Sequence, residues 1–229
     1  LKNADDIRIA EENARREQVR REREEARVWH GVDTHQCRPL DLAKAANMAF
    51  ADEVPGDQKG GWFDQGNIDY ADMPLGEIHA AGIPFTIIDP ARNGGRAAIV
   101  LNGSFRPYFP ESAEAIAVGG KVKRLYFLHT AGWGDKPGTA VMLYRIHYTD
   151  GTSADVPVRM KQEINSWGEI EHLPAAKIAV ERTNPVKKHL QCFAWTNPHP
   201  EKAVSSLDII SLKTGAVPAI VAITAENAE

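Results

Sequence analysis

The sequence predicts a mainly β protein, an antiparallel β-sandwich or jelly roll, preceded by a long and highly charged α-helix. Three observations predict it. Residues from about Asp5 to Val28 hold no Gly or Pro and are saturated with Arg and Glu at helical spacing. From Ile83 onward, nine short apolar or alternating runs recur between turn signals, the pattern of a sandwich. They are not separated by the amphipathic helices that a wound parallel sheet needs, and no internal repeat breaks the series. The alternation Ala140, Met142, Tyr144, Ile146, Tyr148 runs into Asp150-Gly151 and resumes at Ala154, Val156 and Val158. That is a hairpin whose Asp-Gly pair suits the positive φ angles of a type I′ turn.

The elements follow in order. Residues 1–30 read as a charged linker or spacer helix, and residues 31–229 as the sandwich domain. Opposite charges sit four apart at Glu11 and Arg15, Glu12 and Arg16, Glu17 and Arg21, and Arg20 and Glu24. Each such pair contributes about 0.2–0.5 kcal/mol to helix stability. The apolar positions Ile7, Ala10, Ala14, Val19 and Ala26 form a stripe too thin for a coiled coil. The helix therefore fits a solvated spacer, with docking or homo-oligomerisation as the sharper alternative. After Trp29 the helical pattern stops at Gly31, Pro39, Pro55, Gly56, Gly60 and Gly61. Strands are expected at 83–88, 97–101, 115–118, 122–129, 140–148, 153–160, 189–195, 204–212 and 219–224.

Bulk properties narrow the class of partner. The 229 residues are 43% hydrophobic and 25% charged, with a net charge of −4. This gives no drive toward nucleic acid, and no apolar run approaches the roughly 20 residues of a membrane span. The first residue is Leu1, so the sequence reads as part of a longer or processed chain. Cys37 and Cys192 make no disulfide framework. First and last strands often pair in sandwiches, so a bridge between them is geometrically open beside two free thiols.

Signatures of several enzyme classes are absent: no GxSxG elbow, no phosphate-binding GxxxxGK[ST], no HExxH. Two other signals stand out. Asp52, Asp57 and Asp64 lie in a Gly-rich loop that concentrates hard oxygen donors, so a structural Ca2+ site is one reading and a hydrogen-bonded acidic loop the other. Trp62, Tyr70, Phe105, Tyr108, Trp133 and Trp167 all fall in loop contexts rich in Gly, Pro, Asp or Asn. Sugars stack their C–H faces on such rings while neighbouring polar groups hold hydroxyls. On this chemistry Trp133, Trp167 and Tyr70 are candidate platforms, with His129, Asp135 and Arg145 as hydroxyl partners.

The segments 41–47 (DLAKAAN), 60–66 (GGWFDQG), 82–90 (GIPFTIIDP), 125–133 (LYFLHTAGW), 144–152 (YRIHYTDGT) and 195–211 (WTNPHPEKAVSSLDIIS) occur in an order of their own. With them the stretch from Leu40 to Thr224 resembles galactose-binding-like β-sandwich domains appended to bacterial glycoside hydrolases and related polysaccharide-degrading proteins. The resemblance implies a jelly roll, often with a structural calcium, that binds glycans or packs beside a catalytic domain of a secreted or periplasmic protein. It also implies that Trp62, Asp64, His129 and Trp195 hold the fold together. The function expected is thus a non-catalytic carbohydrate-binding or accessory module. The alternatives are a structural or assembly module and a jelly-roll hydrolase or lyase. The last would draw two carboxylates from Asp64, Asp69, Asp72, Asp135 and Glu169.

Overall fold

Strands buried on one face alternate, and strands buried on both faces read as near-continuous apolar runs. Both kinds occur in this chain, and they sort into different layers. A computed structural model describes residues 4–59 and 61–228, with side chains described from residue 8 onward. The side chain of the predicted stripe position Ile7, the first residue Leu1 and the motif glycine Gly60 lie outside what is described.

The helix α1 spans Ala4–Ala26. The strands are β1 Cys37–Pro39, β2 Gly76–Ala80, β3 Ile83–Ile87, β4 Ile99–Val100, β5 Ser112–Ala117 and β6 Val122–Gly132. They continue as β7 Ala140–Tyr148, β8 Ser153–Arg159, β9 Ala176–Arg182, β10 Lys188–Thr196, β11 Val204–Ser211 and β12 Val217–Asn227. One sheet runs β1-β12-β6-β10-β9, with β4 added beside β12. A four-stranded sheet runs β5-β11-β7-β8, and β2 and β3 form a hairpin. Every pairing between these strands is antiparallel.

The four-stranded sheet shows simple alternation. Met142, Tyr144, Ile146 and Tyr148 of β7 point inward, while Leu143, Arg145 and His147 stay half-buried on its outer face. The larger sheet is buried on both sides. Leu125, Phe127, Ile220 and Ile223 meet the four-stranded sheet, and Tyr126, Leu128, Leu190 and Val221 face the other way. That second face is covered by the segment from Phe50 to Met73 and by the β2–β3 hairpin, through Trp62, Phe63, Tyr70, Ile83 and Phe85. Each fully buried side chain of this size stabilises the fold by about 1.5–3 kcal/mol relative to an exposed one.

The hairpin at 140–159 forms with a different turn. Only Gly151 has positive φ, at 84°. Gly151 N–H donates to the Tyr148 carbonyl (3.1 Å), and Tyr148 N–H donates to Thr152 (2.9 Å). This is a three-residue loop ending in a glycine bulge, not the expected type I′ turn. The Asp150 carboxylate reinforces it by accepting from Thr152 N–H (2.9 Å). Three strands escaped the sequence reading: β1, β2 and β9. Cys37 and Cys192 are free. β1 does pair with the last strand, but Cys192 lies on β10, with β12 and β6 between. Three strand spacings of about 4.8 Å exceed the roughly 7 Å limit between bridged Cα atoms.

The helix α1 is exposed from residue 8 to residue 26. Of the four predicted ion pairs, Arg16–Glu12 (2.7 Å) and Arg20–Glu24 (3.9 Å) form. The other two do not close, because exposed pairs gain too little to fix long side chains. The body grips the segment after the helix. Arg27 pairs with Glu181 (2.8 Å), Trp29 N–H donates to Ala81 O (3.0 Å), and Trp29 Nε1 donates to Cys192 O (3.3 Å).

His129, expected among the ligand-facing residues, is fully buried in the core between the sheets. Phe127 stacks on Tyr144 with ring centroids 3.9 Å apart, and the Tyr144 hydroxyl lies 2.7 Å from His129 Nδ1. His129 Nε2 lies 2.9 Å from the Glu163 carbonyl, which only accepts. The proton therefore sits on Nε2, and Nδ1 accepts from Tyr144. Burial pushes the His129 imidazole down to about 4, and His189, also buried, to about 4.

A pH dependence follows. In the unfolded chain each imidazole takes a proton near pH 6.5. Between that value and about 4, the unfolded chain binds more protons than the folded one, so stability falls on acidification. Thermal melts should be level above about pH 7 and drop progressively below about 6.5, with a slope reaching at most about 2.7 kcal/mol per pH unit. His129→Gln should make that slope shallower. A midpoint indifferent to pH across the window contradicts two buried neutral imidazoles.

Candidate functional site

At one end of the sandwich, β6 hands over to β7, β11 to β12, and β4 to β5. The three connections meet there with the Gly-rich loop at 52–66. Local sequence explains why they stay together. Trp62 and Asp64 take positive φ angles of 46° and 56° on either side of Phe63. This turns both aromatic rings inward and the Asp64 carboxylate back over its own loop. Such backbone is strained for bulky residues and persists only where surrounding contacts hold it. Gly61 has to be glycine, since a Cβ there would stand 1.8 Å from the Ala51 carbonyl oxygen.

Asp64 is 1% exposed and saturated with donors. It accepts from the backbone N–H groups of Gly56 (2.7 Å), Asp57 (3.2 Å) and Gln58 (3.3 Å), and from the Tyr108 hydroxyl. Arg106 Nε stands 3.9 Å from the same carboxylate. The same Nε donates to the Phe63 carbonyl (2.9 Å), and the two terminal nitrogens donate to the carbonyls of Phe105 (2.8 Å) and Asp64 itself (2.7 Å). Burial, then the bond to Asp64, raises the Tyr108 hydroxyl well above its ordinary value.

This latch holds an aromatic shelf. The Arg106 guanidinium carbon lies 4.6 Å from the Trp133 ring centroid. Phe105 stacks against the same ring, with centroids 5.4 Å apart and planes 14° from parallel. Trp133 has a φ of 56° and Phe105 is 53% exposed. Beside them, Asp135 accepts from Gly215 N–H (2.9 Å) and Lys136 N–H (2.8 Å), which hold its carboxyl below the usual range. Chemically, the end offers a solvent-facing aromatic surface with polar groups at its rim.

The sequence-predicted residues do not converge. Trp133 and Asp135 stand at this end. Tyr70 is fully buried and Trp167 is 7% exposed. Both pack on Trp62, with centroids 4.6 and 5.8 Å away, so they plug the core beneath the Gly-rich loop and show no ring face to a ligand. Arg145 lies on the outer face of the four-stranded sheet, clamped by two bonds to Asp155 (2.7 and 2.9 Å). Phe105, named with the loop aromatics but not among the platforms, is the exposed ring. Arg106 gave no sequence signal beyond its place in the run Phe105-Arg106-Pro107-Tyr108.

The acidic groups named for calcium are engaged by backbone donors. Asp52 Oδ1 and Oδ2 accept from Gly61 (3.3 Å) and Gly66 (2.5 Å) N–H groups, and Asp57 accepts from Lys59 N–H (2.8 Å). The donors around Asp52 and Asp64 are those of an anion shell, not the oxygens a cation needs. Among the described residues, no group of three or more His, Cys, Asp or Glu is arranged to hold a metal. The carboxylates considered for hydrolysis also have structural partners: Asp69 accepts from Asp52 N–H (2.9 Å), Asp72 pairs with buried Lys188 (2.8 Å), and Glu169 pairs with Lys161.

No protein-family model matches the chain, and none of the curated proteins matches it. No helix among the described residues is long and apolar enough to cross a membrane.

Asp64→Asn removes the charge that gathers Tyr108, Arg106 and three backbone donors. It should destabilise the protein by about 2–4 kcal/mol in urea unfolding. A chelator should leave the melting temperature of the unaltered protein unchanged. A fall with EDTA that calcium restores would reinstate the ion.

Proposed function

We propose that the chain is a non-catalytic carbohydrate-binding module whose contact surface is the Phe105–Trp133 end of the sandwich. The observation that carries this reading is an exposed phenylalanine stacked on a tryptophan and anchored from below by a fully engaged arginine. What supports the reading is that the exposed ring is already braced, so a sugar face would stack on it without any rearrangement of the protein. The resemblance of the ordered sequence segments to galactose-binding-like domains agrees with the same reading, and with it we propose a jelly-roll topology and an exported setting beside a polysaccharide-degrading enzyme. A single shelf covers few ligand atoms, so the affinity is weak and tethering to a neighbouring domain supplies the rest.

A second reading, a module that packs against a catalytic domain, draws on another surface. Ile68, Leu75 and Val186 are exposed. The loops bearing them are joined by Lys188, which donates to the carbonyls of Asp69 and Asn184.

The test is titration of the purified chain against a panel of soluble neutral polysaccharides. Phe105→Ala should weaken binding by at least about tenfold, or about 1.4 kcal/mol. Tyr70→Phe should leave it unchanged, since the Tyr70 hydroxyl has no hydrogen-bond partner and its ring is buried. No binding across the panel, or equal binding by Phe105→Ala, would favour the packing module.

A further inference from the structure

The helix α1 gathers five of its six arginines on one side. At 3.6 residues per turn, Arg8, Arg15, Arg16, Arg20 and Arg23 fall within an arc of about 140°. Glu11, Glu17, Glu22, Glu24 and Glu25 occupy the opposite side, together with the sixth arginine, Arg21. By sequence position two acids fall on the arginine arc, Asp5 in the first turn and Glu12, which pairs with Arg16 at 2.7 Å. Among the described residues, neither Arg15 nor Arg23 is ion-paired.

The choice of cation is a second observation. All six basic residues of α1 are arginine, whereas the chain after residue 30 carries eight arginines and eleven lysines. Lysine serves a solvated spacer equally well. Arginine differs in offering a planar fork that binds carboxylate or sulfate through two bonds and is weakly hydrated. Arg8, the Arg15–Arg16 pair and Arg23 recur every seven or eight residues, a spacing of about 11 Å along the axis. That is close to one disaccharide of an extended glycan. Duplex DNA presents charge far more densely, one phosphate per about 3.4 Å on each strand, a spacing the arginine repeat does not match.

We propose that the arginine face of α1 is a docking surface for an anionic polysaccharide bearing carboxylate or sulfate groups about once per disaccharide. This surface is distinct from the Phe105 shelf and stands or falls independently of it.

The experiment is affinity electrophoresis of the full chain in gels containing polygalacturonate, heparin or neutral xylan, with a DNA duplex in a parallel titration, at low and at physiological salt. Retardation by polygalacturonate or heparin that weakens with salt is expected. R15Q/R16Q/R23Q should lose at least about tenfold in affinity while circular dichroism shows the helix retained. E17Q/E24Q/E25Q, on the opposite face, should bind at least as well as the unaltered chain, and Phe105→Ala should bind the anionic polymers unchanged. The proposal is overturned if neither polyanion retards the chain, if the arginine variant binds as before, if the glutamate variant loses binding equally, or if the duplex binds as tightly as polygalacturonate.

Discussion

The strands β6, β10 and β12 leave almost no side chain in water on either face, and this double burial shapes the rest of the molecule. A sheet with two apolar faces needs two covers. The four-stranded sheet supplies one. The other is built largely from irregular chain between Phe50 and Met73, with the β2–β3 hairpin beside it. A cover made of loop has few ladder hydrogen bonds of its own, so its backbone donors need side-chain acceptors. That need explains why Asp52, Asp64 and Asp69 are buried among N–H groups, and why Trp62 and Tyr70 fill the space beneath.

The site is a by-product of the same packing. Asp64 closes the Gly-rich loop, Arg106 ties the β4–β5 connection to that loop, and the guanidinium then supports Trp133. With its nitrogens occupied by carbonyls and a carboxylate, Arg106 acts as a brace and not as a free ligand for an incoming group. The exposed Phe105 ring consequently sits on a foundation whose ordering cost is met during folding. That arrangement favours binding without a conformational step.

Sequence pattern revealed what depends on periodicity and missed what depends on third-dimensional partners. β7 was legible to its exact ends because one face meets the core and the other meets water, so Met142, Tyr144 and Ile146 alternate with Leu143, Arg145 and His147. β9 was not, since Ala176–Arg182 mixes charged and small residues at a sheet edge. Tyr70 and Trp167 looked like loop platforms because Gly, Asp and Asn surround them; those neighbours mark irregular backbone, and irregular backbone here lies over a core. Acidic residues near glycines suggested a cation for a similar reason: a carboxylate serves backbone N–H groups as readily as it serves calcium, and only the positions of the donors separate the two.

The helix and the sandwich divide polar work differently. In the body, charged side chains are consumed locally: Arg145 by Asp155, Lys188 by Asp72 and two carbonyls, Glu226 by Tyr126 and Lys123. Such groups are fixed by the fold and add little to a long-range field. On α1 the charges are solvated; five arginines share one side, and among the described residues Arg15 and Arg23 there make no ion pair. The grip of Trp29 and Arg27 on β9, β10 and the β2–β3 turn ties the end of that charged rod to the six-stranded sheet.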